Sequence, residues 1–216
     1  MTYGVALILL LSLSLVKSAL EFHLWYTDYS VYYVDIYSLA MTDDGYIYAV
    51  GCRYNYNYGN DGSWIYKFRG GTHIWNKLVA YNYDYDYSYS YCYGSYGITI
   101  DNDGGFLIAE YNVFRRDGNF IYTLIVHKHK EDGNIEWEYN QDTAFDYFYP
   151  TRMKVLPNEN YAVVGGTSFG AGITVISNTS SMIWRVDTSH QYGLGFSGLE
   201  EMDDGSIIAV TGYRFV

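Results

Sequence analysis

Tyrosine dominates the side chains of this chain that are suited to contacting a ligand. It occurs 28 times in 216 residues, and the densest run places Tyr81, Tyr83, Tyr85, Tyr87, Tyr89, Tyr91 and Tyr93 at every second position. An extended segment points alternate side chains to opposite sides, so these rings are expected on one side and Asn82, Asp84, Asp86, Ser88, Ser90 and Cys92 on the other. Tyr54, Tyr56 and Tyr58 repeat the alternation, and Tyr111, Phe114, Tyr139, Phe145, Tyr147, Phe148 and Tyr149 add further rings. A tyrosine ring is rigid and apolar with a polar tip, which suits stacking on a sugar or filling a protein interface at little entropic cost. The candidate ligand-binding residues are therefore Tyr54, Tyr56, Tyr58, Tyr83, Tyr85, Tyr87, Tyr89, Tyr147 and Tyr149. The competing explanation is that these rings pack over neighbouring elements, as large aromatic side chains commonly do.

Other chemistry has thinner support. His127 and His129 fall on one side of a strand, but no carboxylate, thiol or third histidine at matched spacing accompanies them, so no metal site is assigned. Asp101-Asn102-Asp103-Gly104-Gly105 offers clustered oxygens for a hard cation, yet it is too short for a calcium loop and lacks the closing Glu; a hairpin turn explains it better. Walker and His-Glu-x-x-His motifs do not occur, and no catalytic residue and no cofactor is assigned, so the chain is not expected to be an enzyme. Asp84, Asp86, Asp142 and Asp146 keep a glycan-active hydrolase or lyase as a third reading, since such enzymes work with paired carboxylates.

The elements that would carry these residues repeat along the chain. One pattern is a turn followed by an apolar strand: Asp44-Gly45-Tyr46-Ile47-Tyr48-Ala49-Val50, Asp103-Gly104-Gly105-Phe106-Leu107-Ile108-Ala109, a degenerate Glu159-Asn160-Tyr161-Ala162-Val163-Val164 and Asp204-Gly205-Ser206-Ile207-Ile208-Ala209-Val210. The other is a strand ending in tryptophan: His23-Leu24-Trp25, His73-Ile74-Trp75, Ile135-Glu136-Trp137 and Met182-Ile183-Trp184. Asp-Gly between apolar runs predicts a tight type I′ hairpin, because Gly takes positive φ without strain. A short strand precedes each turn (36–41, 96–100, 153–156, 198–202), and a third strand such as 64–68 or 122–128 leads through a second turn to the tryptophan strand. Each unit is thus expected to hold four antiparallel strands. Trp spacings of 50, 62 and 47 residues fit a propeller blade with variable loops, and the tryptophans are expected between adjacent blades.

The pattern Asp-Gly-Gly-Tyr-Ile-hydrophobic-Gly followed by Asn-Ile-x-Trp resembles the repeat of secreted bacterial and archaeal β-propeller proteins over nearly all of residues 20–216. The resemblance implies an all-β fold, a β-propeller of about four four-stranded blades, and a secreted or cell-surface setting, but no catalytic residues. Only Gly212 to Val216 follow the last apolar strand, so the last blade is expected to be incomplete, to be completed by the N-terminal strand around Leu24-Trp25-Tyr26, or to be completed by another subunit through β-augmentation. Because strands alternate in direction, the second-to-third and fourth-to-first connections should emerge on one face, and these are the tyrosine-bearing loops.

Residues 4–16 form an apolar run followed by small residues, the shape of a signal-peptide h-region. The expected organisation is a signal peptide over 1–19 and a propeller repeat domain over 20–216. In an oxidising compartment Cys52 and Cys92, the only cysteines, are candidates for a disulfide between adjacent blades, and Asn178-Thr179-Ser180 is an acceptor for a glycan at Asn178. The formal charge of −11 repels phosphate backbones and anionic membranes, so neither nucleic acid nor, once the leader is removed, a membrane is an expected partner. The leading reading is a secreted binding or adhesion module using its Tyr-rich face on a glycan or extracellular protein. The alternative is an extracellular coat or filament protein that self-associates through its terminal blade.

Overall fold

The computed structural model describes residues 32–55, 59–80, 95–116, 119–141, 148–167, 170–189 and 195–211. Every element among them is a β-strand. The first sheet is a meander of β1 (Tyr32–Met41), β2 (Tyr46–Asn55), β3 (Gly59–Arg69) and β4 (Thr72–Ala80). The second repeats it with β5 (Ser95–Ile100), β6 (Phe106–Arg116), β7 (Asn119–His129) and β8 (Ile135–Gln141), and the third with β9 (Phe148–Val155), β10 (Tyr161–Thr167), β11 (Gly170–Ile176) and β12 (Met182–Ser189). The fourth is a hairpin of β13 (Phe196–Glu201) and β14 (Ile207–Thr211). All pairings are antiparallel, so the expected four-strand unit is present three times and its first half a fourth time. Trp75, Trp137 and Trp184 each lie on the fourth strand of a unit.

The turns differ from the expected type. In the first unit Thr42 N–H donates to Tyr46 O and Gly45 N–H to Thr42 O, and the same pair of bonds recurs at 101–105, 130–134, 156–160, 177–181 and 202–206. Each is a type I turn closed by one left-handed residue, which leaves a single position with positive φ. Gly45, Gly104, Gly133 and Gly205 take it at φ of 86°, 85°, 82° and 80°. The aspartate before each glycine is not left-handed. Asp103, Asp132 and Asp204 instead accept the backbone N–H two residues on, at 2.9 Å, which is why a short acceptor side chain stands there. The third unit is offset by one residue from its sequence alignment: Asn158 takes the acceptor place and Glu159 the left-handed one, at φ 61°. Among the described residues, both central residues are left-handed, as type I′ requires, only at Gly70-Gly71 between β3 and β4.

The sheets stack face to face in chain order, and strand alternation decides which side chain faces which neighbour. Phe106 and Ile108 point toward the first sheet, joining Tyr48, Val50 and Ile65 with Trp75 and Val79 at the rim. Leu107 and Ala109, one residue out of phase, point the other way and join Phe148, Met153, Tyr161, Val163 and Ile176. Beyond the third sheet the core thins to Leu156, Ala162 and Val175 under Leu199 and Ile207. As expected, Trp75 and Trp137 fill space between sheets, whereas Trp184 is exposed. Trp75 lies 6.4 Å from Phe106, and Trp137 lies 5.7 Å from Tyr161, between ring centroids. First strands lie side by side, β5 next to both β1 and β9, and β13 next to β9.

Two lysines at the same place in successive units fasten the stack. Lys67, which faces Tyr48, bonds Glu131 in the next sheet at 2.9 Å. Lys128 lies 2.7 Å from both Asp101 and Asp103, and Tyr161 of the third sheet donates its hydroxyl to Asp101 at 3.1 Å. Burial lifts the Tyr161 hydroxyl to about 12, and the Asp101 charge adds to the effect. Burial opposes the charge on Lys128, but the two carboxylates outweigh it and hold the ammonium above its usual range. The 101–105 segment is therefore a hairpin turn whose acids are occupied by a lysine, as a turn reading of Asp101-Asn102-Asp103 requires.

Candidate binding end

Antiparallel succession gives the stack two different ends. The five-residue turns and Gly70-Gly71 lie at one end. The connections between β2 and β3, β4 and β5, β6 and β7, and β8 and β9 leave from the other; residues 56–58, 81–94 and 142–147 among them carry tyrosine, and Asp117-Gly118 between β6 and β7 does not. Tyr54 stands one residue from the end of β2, paired with Tyr33 and Asn60, and Cys52 two residues before it. Tyr56, Tyr58, Tyr83, Tyr85, Tyr87, Tyr89, Tyr147 and Cys92 lie outside the described residues. Asn178 is exposed in the 177–181 turn, so a glycan there would sit at the end away from the tyrosines.

Some aromatic residues expected on the exposed end are spent on packing. Phe148 is fully buried in the core between the second and third sheets, with the Arg185 guanidinium 5.5 Å from its ring centre. Tyr111, 3% exposed, packs against Tyr149 across the same two sheets, their ring centres 5.5 Å apart. Tyr139 is half-buried against that core, and burial pushes its hydroxyl up. Tyr149 thus belongs to the rim that supports the end, in contact with the Tyr111 ring.

Within the second sheet lies a polar cluster that residue spacing does not reveal. His127 is 4% exposed, and the sheet register sets Glu110 of β6 and Glu138 of β8 beside it: Nε2 is 3.5 Å from Glu110 Oε2 and Nδ1 is 3.4 Å from Glu138 Oε2. The carboxylates missing from the local sequence come from neighbouring strands, through the pairings of His127 with Ile108 and Glu138. Burial disfavours the imidazolium, but the adjacent Glu110 and the charge of Glu138 outweigh it and raise the pKa above the usual histidine value. His129 behaves oppositely. Burial pulls it down to about 4 although Gly133 O lies 3.2 Å from its Nδ1, and its ring stacks on Phe106 at 4.9 Å. No cluster of three or more ligating side chains suited to a metal ion occurs among the described residues. The cluster therefore links β6, β7 and β8 within the second sheet, with His127 closed off from solvent.

At the opposite end, a cleft of about 500 Å³ opens between the 42–46 and 101–105 turns, lined by Asp43, Asp44, Tyr46, Asp101 and Glu131 among others. Two of its acids are already paired, Asp101 with Lys128 and Glu131 with Lys67. Compared with known proteins, the chain matches no family model and no curated protein.

Proposed function

We propose that this chain is an extracellular, non-catalytic binding module of the β-propeller type, built from about four units, that engages a glycan or an extracellular protein through its tyrosine-bearing end. The observation that carries this reading is the asymmetry of the two ends. Every turn at one end is short and locked by its own backbone bonds, while every long connection leaves at the other, where Tyr54 and the Tyr111–Tyr149 pair form the described rim. Binding residues are commonly placed on loops held by a rigid scaffold. Three meanders of identical topology, stacked face to face with first strands adjacent, support the propeller reading. The acidic balance of the chain disfavours phosphate-bearing partners and leaves neutral sugars and protein surfaces.

Screening the mature chain, from residue 20, against glycan and extracellular-protein arrays tests the proposal. Saturable binding is expected, and Y85A/Y87A should weaken it at least tenfold without moving the unfolding midpoint. Turnover of a polysaccharide that disappears in D84N, D86N, D142N or D146N would replace this reading with the hydrolase or lyase one.

A further inference from the structure

The two junctions between four-stranded sheets close their lysine clamps differently. At the second, Asp101 and Asp103 of the sheet's own turn hold Lys128. Tyr161, the first residue after the neighbouring turn, donates its hydroxyl to Asp101, so lysine, acids and hydroxyl satisfy one another. At the first junction three of these positions differ. Thr42 stands where Asp101 does and Phe106 where Tyr161 does, so neither the acid nor the incoming hydroxyl is present, and Lys67 reaches across to Glu131 instead. Tyr48 stands where Leu107 does, opposite the lysine, and adds a hydroxyl that the second junction lacks. The cleft of about 500 Å³ opens at this place, within the range of small-molecule sites, about 300–1,000 Å³.

The polar groups left in the cleft are unmatched. Tyr48 is fully buried and lines the cleft, yet its hydroxyl has no hydrogen-bond partner. Burial holds that hydroxyl above the usual tyrosine pKa although Lys67 opposes the shift, so the group is a protonated donor. Lys67, with its ammonium 5.1 Å from the ring centre, can only donate and cannot take that proton. On the rim, Asp43 is exposed and makes no bond among the described residues, and Asp44 accepts the Thr42 hydroxyl at 2.6 Å. The Asn102 side chain of the facing turn is exposed and unengaged as well. An occupant must therefore accept a hydrogen bond at the floor and donate at the rim. A cation does only the second, and an anion meets the carboxylates as a like charge. A hydroxyl does both, and a ring carrying several hydroxyls does so at both places at once.

We propose that this cleft is a separate binding site for a neutral sugar residue, one hydroxyl of which accepts from Tyr48 Oη while its neighbours bond Asp43, Asp44 and Asn102. The second junction, closed by Lys128, Asp101 and Tyr161, offers no equivalent place. The site lies at the turn end of the stack, away from the tyrosine-bearing connections, and does not depend on binding there.

Amide NMR of the mature chain titrated with glucose, galactose, mannose and N-acetylglucosamine tests the site. At least one of these should give saturable shifts at residues 42–46 and 101–104, and glucuronate should give none there. Y48F should weaken that binding about tenfold without lowering the unfolding midpoint, because it removes a hydroxyl that the fold leaves unpaired. D43A/N102A, which breaks no bond of the fold, should weaken it about fivefold. No saturable shift with any of the four sugars would mean that solvent alone fills the cleft and would overturn the proposal, as would undiminished affinity in either variant. Y85A/Y87A should leave the shifts at 42–46 intact. Sugar binding abolished by Y85A/Y87A and indifferent to Y48F would belong to the tyrosine-bearing end, overturning this site while leaving the proposed function standing.

Discussion

The two faces of the third sheet are built from the same four strands and meet different surroundings. Toward the second sheet, Phe148, Met153, Tyr161, Val163 and Ile176 are covered by a full four-stranded neighbour and interlock with Leu107, Ala109, Leu124 and Val126. Toward the fourth, Leu156, Ala162 and Val175 lie beneath a two-stranded hairpin, and Trp184 and Val186 are left exposed. The residue types on the two faces are alike, so the difference comes from the extent of the neighbour. Apolar burial scales with the area removed from water, and half a sheet removes roughly half of it.

Phe106→Ala should have the largest effect, about 3–5 kcal/mol in urea unfolding, because the ring is fully buried, 4.7 Å from Tyr48 and stacked on His129. Ile207→Ala, at the equivalent place in the fourth unit, should cost only about 1–2 kcal/mol, since its site is partly buried. Equal losses would mean that the fourth sheet is as firmly held as the second.

Lys128→Met should come next, at about 3 kcal/mol, because it leaves the buried Asp101 carboxylate without its cation. The third unit places Val175 where the first two place Lys67 and Lys128, so its contact with the fourth sheet has no such clamp. A loss no larger than that of an exposed lysine would show that Asp101 reaches water.

Smaller gains are expected where the third unit departs from its repeats. Glu159→Gly and Ser180→Gly should each stabilise by up to about 1 kcal/mol, because both residues are left-handed, at φ 61° and 62°. A gain at Gly45→Ala, where φ is 86°, would contradict the same argument.

The smallest effect separates the two buried histidines by pH. His127 has a raised pKa in the fold, so its contribution is complete below about pH 6.5 and lost as pH rises through the folded value. The stability difference between wild type and His127→Gln should therefore shrink from pH 6 toward pH 8. His129, held near 4, acts in the opposite sense: the unfolded chain takes up a proton the fold refuses, so stability falls as pH drops from about 6.5 toward 4. His129→Gln should flatten that acid limb in a thermal melt series.

The placement of strands was legible because it depends on short-range signals: an acceptor side chain and glycine at a turn, alternation along a strand, and a tryptophan at a fixed offset. Turn type was misread because Asp-Gly suits more than one turn, and the hydrogen bonds from Thr42 and Asp101 choose between them. Of the candidate site, topology places Tyr54 and Tyr149 at one end, but the burial of Phe148 and Tyr111 depends on how neighbouring sheets meet. The Glu110–His127–Glu138 cluster was invisible to spacing, because its members are adjacent only through cross-strand register.

The sequence by itself determined an all-β chain of repeated four-strand units with tight turns at one end and tyrosine-bearing connections at the other, since each of these follows from patterns within about ten residues. Only the tertiary structure decided which apolar face is covered, which lysine finds its carboxylate, and that Trp184 lacks the cover its repeats enjoy. Those outcomes depend on contacts between sheets far apart in sequence, and identical local patterns meet them differently.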